Sequence, residues 1–317
     1  MHKTSQGKPA RISSVHSRRF HALLAARVLK WFARQGRKLP WRGIASPYRI
    51  LVSEIMLQQT QVTRVLMKYP GFLQRFPSLR SLARARQRDV VVAWEGLGYN
   101  NRAVRLHQCV RAVRDNHGGR IPAEYDALIS LPGIGQYTAN ALLSSAFGQH
   151  VPIVDVNVKR FLSRVFWTMS STGEMKSEKE IWRRASDVLP ATDVYRWNQA
   201  LMDIGATICT ARQPRCNQCP VATLCTSRAL MRHDSPSSLK REPSLDGIPN
   251  RIYRGRIINA LRYRRRIHTE LLGKMIYERY GGRNGPWLHG LLAGLEKDGL
   301  ITVHRNGSKT SSFVTLV

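Results

Sequence analysis

Apolar residues recur at helical spacing through most of the first 229 residues, where short breaks of glycine and proline separate the amphipathic stretches and strand-like alternation is scarce. This pattern predicts an all-α fold for residues 20–229. The predicted helices cover residues 20–34, 47–68, 88–94, 102–116, 137–147, 158–166, 178–188 and 197–205. Since no apolar run reaches the length needed to span a bilayer, we expect no membrane segment.

The pattern changes after residue 229. Residues 234–249 are rich in proline and serine and show no periodicity, so we interpret 230–250 as a linker. Helical spacing returns at 269–280 and 287–298, and two apolar stretches then flank Asn306-Gly307, a strong signal for a β-hairpin. Two helices followed by a hairpin is the order of a winged helix. We therefore predict a small winged-helix-like domain at 251–317 that either contacts nucleic acid or docks onto another protein.

The charge of the chain points to a polyanionic partner. The chain has 51 Lys and Arg against 20 Asp and Glu, a formal charge of +31, which favours nucleic acid through the release of counterions. A solvated basic surface is the alternative. Residues 1–19 are basic but lack the apolar segment of a secretory signal. We expect them to form a disordered arm, without organelle targeting, on a cytoplasmic, nucleoid-associated protein.

Four of the five cysteines form the array Cys209-x6-Cys216-x2-Cys219-x5-Cys225, and Cys109 lies far upstream. Paired disulfides belong to short secreted chains, and this chain is long and has no secretory signal. Four thiolates in so short a run indicate a metal centre, and four cysteines suit either zinc or an iron-sulfur cluster. The spacing departs from the paired knuckles of structural zinc sites but leaves both metals open. Cys109 fits a small buried apolar residue.

Two acids stand apart from other charges. Glu54 is the first carboxylate of the chain, and helical spacing would place it on one face with Gln58; a surface pair with Arg49 is the alternative. Asp155 lies in an apolar run, where an acid serves as a cap, pairs with a base or does chemistry. Local sequence favours a cap on the helix that begins near Val158.

Gly133 and Gly135 stand one residue apart, directly before the helix predicted at 137–147. Glycine permits positive φ and close approach of the backbone to a ligand, so this turn can aim its amides and a helix N-terminus at a phosphate. Apolar residues on both sides fit a helix-hairpin-helix. An ordinary turn between two helices is the alternative.

These motifs together resemble a known family. LPGIGQYTA from residue 131, VDVNVKR from residue 154 and the cysteine array occur in that order in the helix-hairpin-helix DNA glycosylases with an iron-sulfur cluster, the endonuclease III-like superfamily. Four further motifs resemble the MutY-type adenine glycosylases. They are LPWR at 39–42, SEIMLQQTQV at 53–62, GLGY at 96–99 and WNQALMD at 197–203.

The resemblance covers roughly residues 37–225 and implies a cofactor and an architecture. The cofactor would be a 4Fe-4S cluster on the four cysteines, because the resemblance to this family favours an iron-sulfur cluster over zinc. The glycosylase core, 20–229, would have two helical domains flanking a DNA-binding cleft. One would be a helical barrel at about 47–150, and the other, which carries the cluster, would combine 20–46 with 151–229.

The resemblance also implies roles for individual residues. Asp155 would stabilise the oxocarbenium-like sugar, and Glu54 would protonate the departing base and help to activate water. Tyr137 stands where endonuclease III-type enzymes carry the lysine that forms a Schiff base, so we expect a monofunctional glycosylase without strong lyase activity. The cysteine loop would offer residues 211–215 to the DNA backbone. The other DNA contacts expected from the resemblance are Gln58, Gln59, Tyr99, Gly133, Gly135, Thr138, Asn157 and Arg42.

Some positions depart from the MutY pattern. The tail replaces the usual domain that recognises 8-oxoguanine, Asn100 stands where a second tyrosine is common, and Val156 stands where glycine is common. We expect a monomer that acts on double-stranded DNA containing a mismatch or damaged base, with adenine opposite G or 8-oxoguanine as the excised base. The alternatives are a thymine or uracil glycosylase for G:T and G:U mismatches, and an iron-sulfur DNA-binding regulator without catalysis.

Overall fold

The computed structural model describes residues 17–168, 176–231, 242–305 and 312–317. Most of residues 1–19, part of the 230–250 linker and the Asn306-Gly307 turn lie outside these ranges. The helices are α1 (Arg18–Gln35), α2 (Pro47–Leu57), α3 (Val62–Arg75), α4 (Leu79–Arg84), α5 (Gln87–Ala93), α6 (Asn101–Asn116), α7 (Tyr125–Ile129), α8 (Gln136–Phe147), α9 (Val156–Phe166), α10 (Glu178–Asp187), α11 (Val194–Thr207), α12 (Asn250–Arg262), α13 (Thr269–Ile276) and α14 (Gly285–Lys297). The strands are β1 (Ser244–Leu245), β2 (Ile248–Pro249), β3 (Ile267–His268), β4 (Ile301–Arg305) and β5 (Ser312–Leu316).

The mostly helical content confirms the all-α prediction. None of the described helices is long and apolar enough to cross a bilayer. The chain divides into two compact units: a first unit of Met1–Ala45 with Asn140–Ser238, and a second unit of Ser46–Ala139 with Leu239–Val317. The expected boundary near residue 150 thus lies at 139/140, inside α8. The tail groups with the 46–139 segment, to which the hydrogen bonds described below join it.

Helix starts follow from local chemistry. Ser17 accepts a hydrogen bond from the amide of Phe20 and caps α1. Pro47, which has no amide hydrogen to satisfy, occupies the first turn of α2. Ser177 and the Glu180 side chain form a reciprocal capping box at the start of α10.

The predicted helix over 47–68 is wrong as a single element. It breaks into α2 and α3, and Gln59 between them has a left-handed backbone with φ 55°. Gln58 is therefore not on the Glu54 face of a continuous helix. A side chain distant in sequence, described below, binds the carbonyl groups freed by this break. Because the break depends on that distant residue, the local hydrophobic pattern could not predict it.

The first unit is built around α1, α9, α10 and α11, with α11 packed against both α1 and α9. Their apolar faces form one core in which Val28, Phe161, Trp197 and Ile204 are buried. Val221, from the cysteine loop, inserts into the same core. The loop is thereby anchored to the helices that carry Asp155 and its neighbours.

The tail from residue 242 has the element order of a winged helix. It runs α12, β3, α13, α14, β4 and β5, and the three strands form an antiparallel sheet in the order β3-β5-β4, with Val303 opposite Val314. The sequence pattern missed α12, because its many arginines hide the spacing of the buried Tyr253, Ile257 and Leu261. It also missed the β1-β2 hairpin, which lies in the expected linker.

Polar contacts join the tail to the rest of the second unit. The Gln87 amide donates to the carbonyl of Gly299 at 2.7 Å, and the Arg88 guanidinium donates to the carbonyl of Arg262 at 3.0 Å. Arg262, itself buried, donates in the other direction to the carbonyl of Val91 at 3.2 Å and to Oδ1 of Asn100 at 3.1 Å. Asn100, one of the departures from the MutY pattern, thus helps to hold the tail.

Candidate functional site

The 131–135 turn has the geometry of an anion-binding hairpin. Gly133 has φ 79°, and a Cβ there would lie 3.0 Å from Cβ of Arg105, so both conformation and space require glycine. A Cβ at Gly135 would meet nothing within 4 Å, which leaves the backbone open to a ligand at the start of α8. Thr138, expected to contact DNA, is only 2% exposed. Its side chain packs inside the unit and is not placed for that contact.

Glu54 is buried and bound to Tyr137. Its neighbours on α2, including Val52 and Ile55, are also buried, and its side chain is only 7% exposed. Because a carboxyl group is costly to bury without a partner, the hydrogen bond donated by Oη of Tyr137 to Oε2 of Glu54 at 2.8 Å matters. The burial rules out the surface pair with Arg49. The helix-hairpin-helix thus presents its phenol to the isolated acid.

Gln59 and Tyr99, two of the expected wedge residues, are exposed and share an unusual backbone. Their φ angles are 55° and 43°, in a region that residues other than glycine seldom occupy. Such strain persists only where surrounding contacts impose it, and it is frequent at functional sites. Gln58 lies just before them and is half-buried.

Arg102 imposes this geometry, and the sequence reasoning did not single it out. Nη1 donates to the carbonyls of Ile55 and Met56 at 2.8 and 2.9 Å, and to that of Gln58. Nη2 donates to Oγ1 of Thr60 at 2.8 Å and to the carbonyls of Leu97 and Gly98. One buried guanidinium thus satisfies the carbonyl end of α2 and ties it to the loop before Tyr99. Burial lowers the pKa of Arg102 to about 10.

Asp155 caps α9, as its local sequence predicted. Oδ1 accepts a hydrogen bond from the amide of Val158 at 2.7 Å, and Oδ2 accepts one from the side-chain amide of Asn157 at 2.7 Å. The two donors fix the orientation of the carboxylate at the N-terminus of the helix. The cap explains how Asp155 is positioned and leaves its chemical role open. Val156, the next residue, is exposed.

A chain of hydrogen bonds leads from Asp155 to the cysteine loop. Oδ1 of Asn157 accepts from Nη2 of Arg160 at 2.9 Å, and Nε of Arg160 donates to the carbonyl of Cys209 at 2.8 Å. Gly205 permits this approach, since a Cβ there would lie 2.7 Å from Cβ of Asn157. The side chain of Asn157, expected to bind DNA, is therefore used within the first unit to hold Asp155.

The four cysteines of the array line one cavity. Burial raises the pKa of Cys219 to about 12 and that of Cys225 to about 11, so these thiols need a cationic centre to exist as thiolates. Nη1 of Arg164 lies 3.6 Å from Sγ of Cys209 and adds positive charge to the cavity. The donor set and its surroundings fit an iron-sulfur cluster.

Arg164 also shapes the loop between the first two cysteines. This buried residue donates to the carbonyls of Thr210 and Ala211 at 2.7 and 3.0 Å. Arg212 and Arg215 of the loop are exposed. The loop is therefore held from inside by one arginine while it presents two others to solvent, and its contact with the DNA backbone remains a prediction.

Arg42 does not fit its expected role in DNA contact. Its guanidinium donates to both carboxylate oxygens of Asp203, at 2.9 and 2.8 Å, and to the carbonyl of Arg37. Its side chain is only 11% exposed. Burial alone would raise the pKa of the Asp203 carboxyl, but Arg42 and Arg37 hold that pKa below its usual value. The LPWR and WNQALMD motifs thus meet in a buried ion pair.

Comparison with known proteins identifies the scaffold. Residues 52–187 match the model of the HhH-GPD superfamily of base excision DNA repair proteins, and residues 209–225 match that of the iron-sulfur binding domain of endonuclease III. The chain is 39% identical to the adenine DNA glycosylase of Mycobacterium tuberculosis over 241 residues, which cover 74% of this chain and 77% of the relative. It is 38% identical to the human adenine DNA glycosylase over 253 residues, or 76% of this chain and 46% of that protein.

Solved structures show the same fold. A thermostable thymine-DNA glycosylase aligns with a TM-score of 0.60 and 28% identity over 66% of this chain and 96% of its own. An endonuclease III in a non-covalent complex with DNA aligns with a TM-score of 0.58 over 67% of this chain and 97% of its own. The latter is 20% identical and supports the fold alone.

Proposed function

Because the chain belongs to the HhH-GPD superfamily of base excision DNA repair proteins, we propose that it is a monofunctional, mismatch-specific glycosylase that removes adenine opposite G or 8-oxoguanine. It is a DNA glycosylase, it binds DNA and it carries a 4Fe-4S cluster. We propose the identity of the excised base, the identity of the base opposite it, and action as a monomer. The observation that carries the proposal is the buried Glu54 bound to Tyr137.

Cleavage of an N-glycosidic bond needs a proton for the leaving base and negative charge near the sugar. Glu54 can deliver the proton from a carboxyl group whose direction is set by the phenol of Tyr137. A purine suits such an acid, since its N7 accepts a proton as the bond breaks. Asp155 supplies the negative charge, in the orientation that the α9 N-terminus and Asn157 impose.

The monofunctional reaction follows from the residue at position 137. Strand cleavage through a Schiff base needs an amine, and a phenol cannot form one. Tyr137 instead orients the carboxyl group of Glu54 through its hydrogen bond. The four cysteines would hold the cluster, which would cross-link the 209–225 loop. The proton transfer and the charge near the sugar come from residues of the chain.

A thymine or uracil glycosylase is the second candidate. The thymine-DNA glycosylase with 28% identity favours it, because that enzyme shares the scaffold and this similarity extends over 66% of the chain. The relatives named adenine DNA glycosylase are more similar in sequence, at 39% and 38% identity. We therefore place adenine first.

A panel of duplexes tests the excised base. Adenine, thymine and uracil are each placed opposite G, 8-oxoguanine and C, and excision is scored as strand breaks before and after alkali. We expect alkali-dependent breaks at adenine opposite G or 8-oxoguanine. Excision of thymine or uracil alone would replace the adenine proposal, and breaks without alkali, or a borohydride-trapped adduct, would overturn the monofunctional one.

Two variants test the roles of the acids. Asp155→Asn keeps a good N-cap residue but removes the charge, so α9 should persist while excision falls by about a hundredfold or more. Glu54→Gln should cause a loss of similar size with mismatch binding retained. Asp187→Asn and Glu124→Gln, which change exposed acids, are the controls. Full excision by Asp155→Asn would refute its assignment.

A further inference from the structure

A groove in the second unit lies between the tail and the expected wedge residues. Its cavity volume is about 960 Å³. One wall consists of the 59–61 and 97–101 segments with Arg64. The other consists of α12, the residues just before it, and Leu295, Asp298 and Leu300. We call this cavity the tail groove. Both walls belong to the same compact unit, and buried Arg262 joins them through the carbonyl of Val91 and the side chain of Asn100.

The tail groove carries an excess of positive charge. Four arginines line it against two acids, Glu242 and Asp298. Arg251 pairs with Glu242, and Arg254 pairs with Asp298. The other two arginines, Arg64 and Arg256, are exposed, and neither makes an ion pair with a residue that the structure describes; Nη1 of Arg256 donates to the carbonyl of Ile276 at 2.8 Å. A lining of this kind suits a strand of phosphates.

Gly255, in the middle of α12, faces the same groove. Glycine disfavours a helix interior, so its presence needs a reason. Packing within the chain provides none, since a Cβ at Gly255 would meet nothing within 4 Å. Close approach of a ligand to the helix backbone is such a reason. The exposed side chain of Tyr99 lies on the opposite wall.

The usual reading surface of a winged helix is poorly equipped in this tail. That surface would be α14, whose exposed residues are Pro286, His289, Gly290, Ala293 and Lys297. Base readout relies mainly on arginine, lysine, asparagine and glutamine, and of these α14 contains only Lys297. Four arginines of the tail stand on α12, namely Arg251, Arg254, Arg256 and Arg262, and three more occupy positions 264–266 just after it.

We propose that the tail groove binds the sugar-phosphate backbone of duplex DNA beside the 59–61 and 97–101 segments. The tail then acts as a second arm that grips the duplex without reading its sequence. This proposal deepens the proposed function but rests only on DNA binding, and not on which base is excised. Binding and excision are therefore measured separately.

Two helical glycines provide a matched test. Gly255 and Gly290 each occupy the sixth position of a 13-residue helix, and a Cβ at either would meet nothing within 4 Å. Glutamine favours a helix at both sites, so neither Gly255→Gln nor Gly290→Gln should lower the unfolding midpoint. We expect Gly255→Gln to weaken binding to a labelled duplex by about tenfold, because its side chain fills the groove. Gly290→Gln should bind as the parent chain does.

Arginine variants test the ligand's charge. Arg64→Gln and Arg256→Gln, one from each wall, should each reduce the slope of log affinity against log salt by about 0.9, as expected for one phosphate contact. Arg283→Gln, an exposed change in the tail outside the groove, is the control. The duplexes used contain either an abasic-site analogue or no lesion, and the loss should be similar for both.

The outcomes separate the proposals. Unchanged binding by Gly255→Gln, or an unchanged salt slope in both arginine variants, would overturn the tail groove as a DNA site. A loss confined to Gly290→Gln would assign DNA to α14 and overturn it as well. Single-turnover excision at saturating protein should remain normal in Gly290→Gln, whose substituted residue lies outside the groove. If the parent chain excised no base, the binding comparison would still decide the role of the groove.

Discussion

Replacing Arg102 with lysine should loosen the two segments that carry Gln59 and Tyr99. The guanidinium contacts the carbonyls of Ile55, Met56, Gln58, Leu97 and Gly98 and the hydroxyl of Thr60. An ammonium group has fewer donors and no planar fork, so it cannot serve both the end of α2 and the loop before Tyr99. At least one group of carbonyls therefore loses its donor.

The size of the effect follows from those lost bonds. A buried acceptor without a donor costs about 1–3 kcal/mol. If two carbonyls lose their donor, and part of the cost of burying the larger guanidinium is recovered, Arg102→Lys should lower the free energy of unfolding by about 2–4 kcal/mol. Since a domain of this kind has about 5–15 kcal/mol, the variant should still fold.

Urea unfolding measures the global loss, and hydrogen exchange of the 58–60 and 97–101 amides measures the local one. The loss of unfolding free energy and these exchange rates should both be larger in Arg102→Lys than in Arg111→Lys. Arg111→Lys is an exposed change on the same helix and should stay within about 0.5 kcal/mol of the parent chain. Equal stability and equal exchange in Arg102→Lys would show that the guanidinium does not hold these segments. A stability loss with exchange increased elsewhere only would lead to the same conclusion.

Three further predictions concern the first unit. Asp203→Asn should cost about 3 kcal/mol at neutral pH because it leaves Arg42 and Arg37 without their buried counter-charge. The folded pKa of Asp203 is lowered, so its stabilising contribution is present above the unfolded pKa of about 3.9 and disappears as pH falls through the folded value. Urea unfolding from neutral to acidic pH should thus show the parent chain and the variant converging, and a constant difference would refute the linkage. Arg160→Gln should reduce single-turnover excision by about tenfold with normal DNA affinity, because Asn157 loses its link to Cys209; an unchanged rate constant would contradict this. Cys219→Ser should abolish the visible absorbance of the cluster, which would persist if this half-buried cysteine were not a ligand.

Local signals in the sequence predicted much of the candidate site. Glycine at Gly133 and Gly135, an acid before α9, and four closely spaced cysteines each reflect chemistry confined to a few residues. The isolation of Glu54 from other charges predicted that it was special, and its burial agrees. The two helices and the hairpin of the tail could likewise be predicted from the sequence, because hydrophobic spacing there is regular.

The arginines that hold the site could not be predicted in the same way. Arg102 acts on carbonyls 44 to 47 residues upstream, and Arg164 acts on carbonyls 46 and 47 residues downstream. Nothing in local spacing distinguishes such a residue from the many exposed arginines of a chain with charge +31. The same abundance concealed the pairing of Arg42 with Asp203, and it made α12 resemble an irregular basic segment.

A hydrogen bond links two of the departures from the MutY pattern, Asn100 and the tail. Asn100 follows Tyr99, accepts a hydrogen bond from Arg262 of the tail, and precedes α6, which carries Arg102. The loop that presents Tyr99 is thus held on one side by Arg102 and on the other by the tail. A tyrosine at position 100 has no side-chain amide to accept the hydrogen bond from Arg262. The asparagine therefore suits the contact with this tail. Any force that DNA exerts on the tail groove acts on the loop of Tyr99 through this contact.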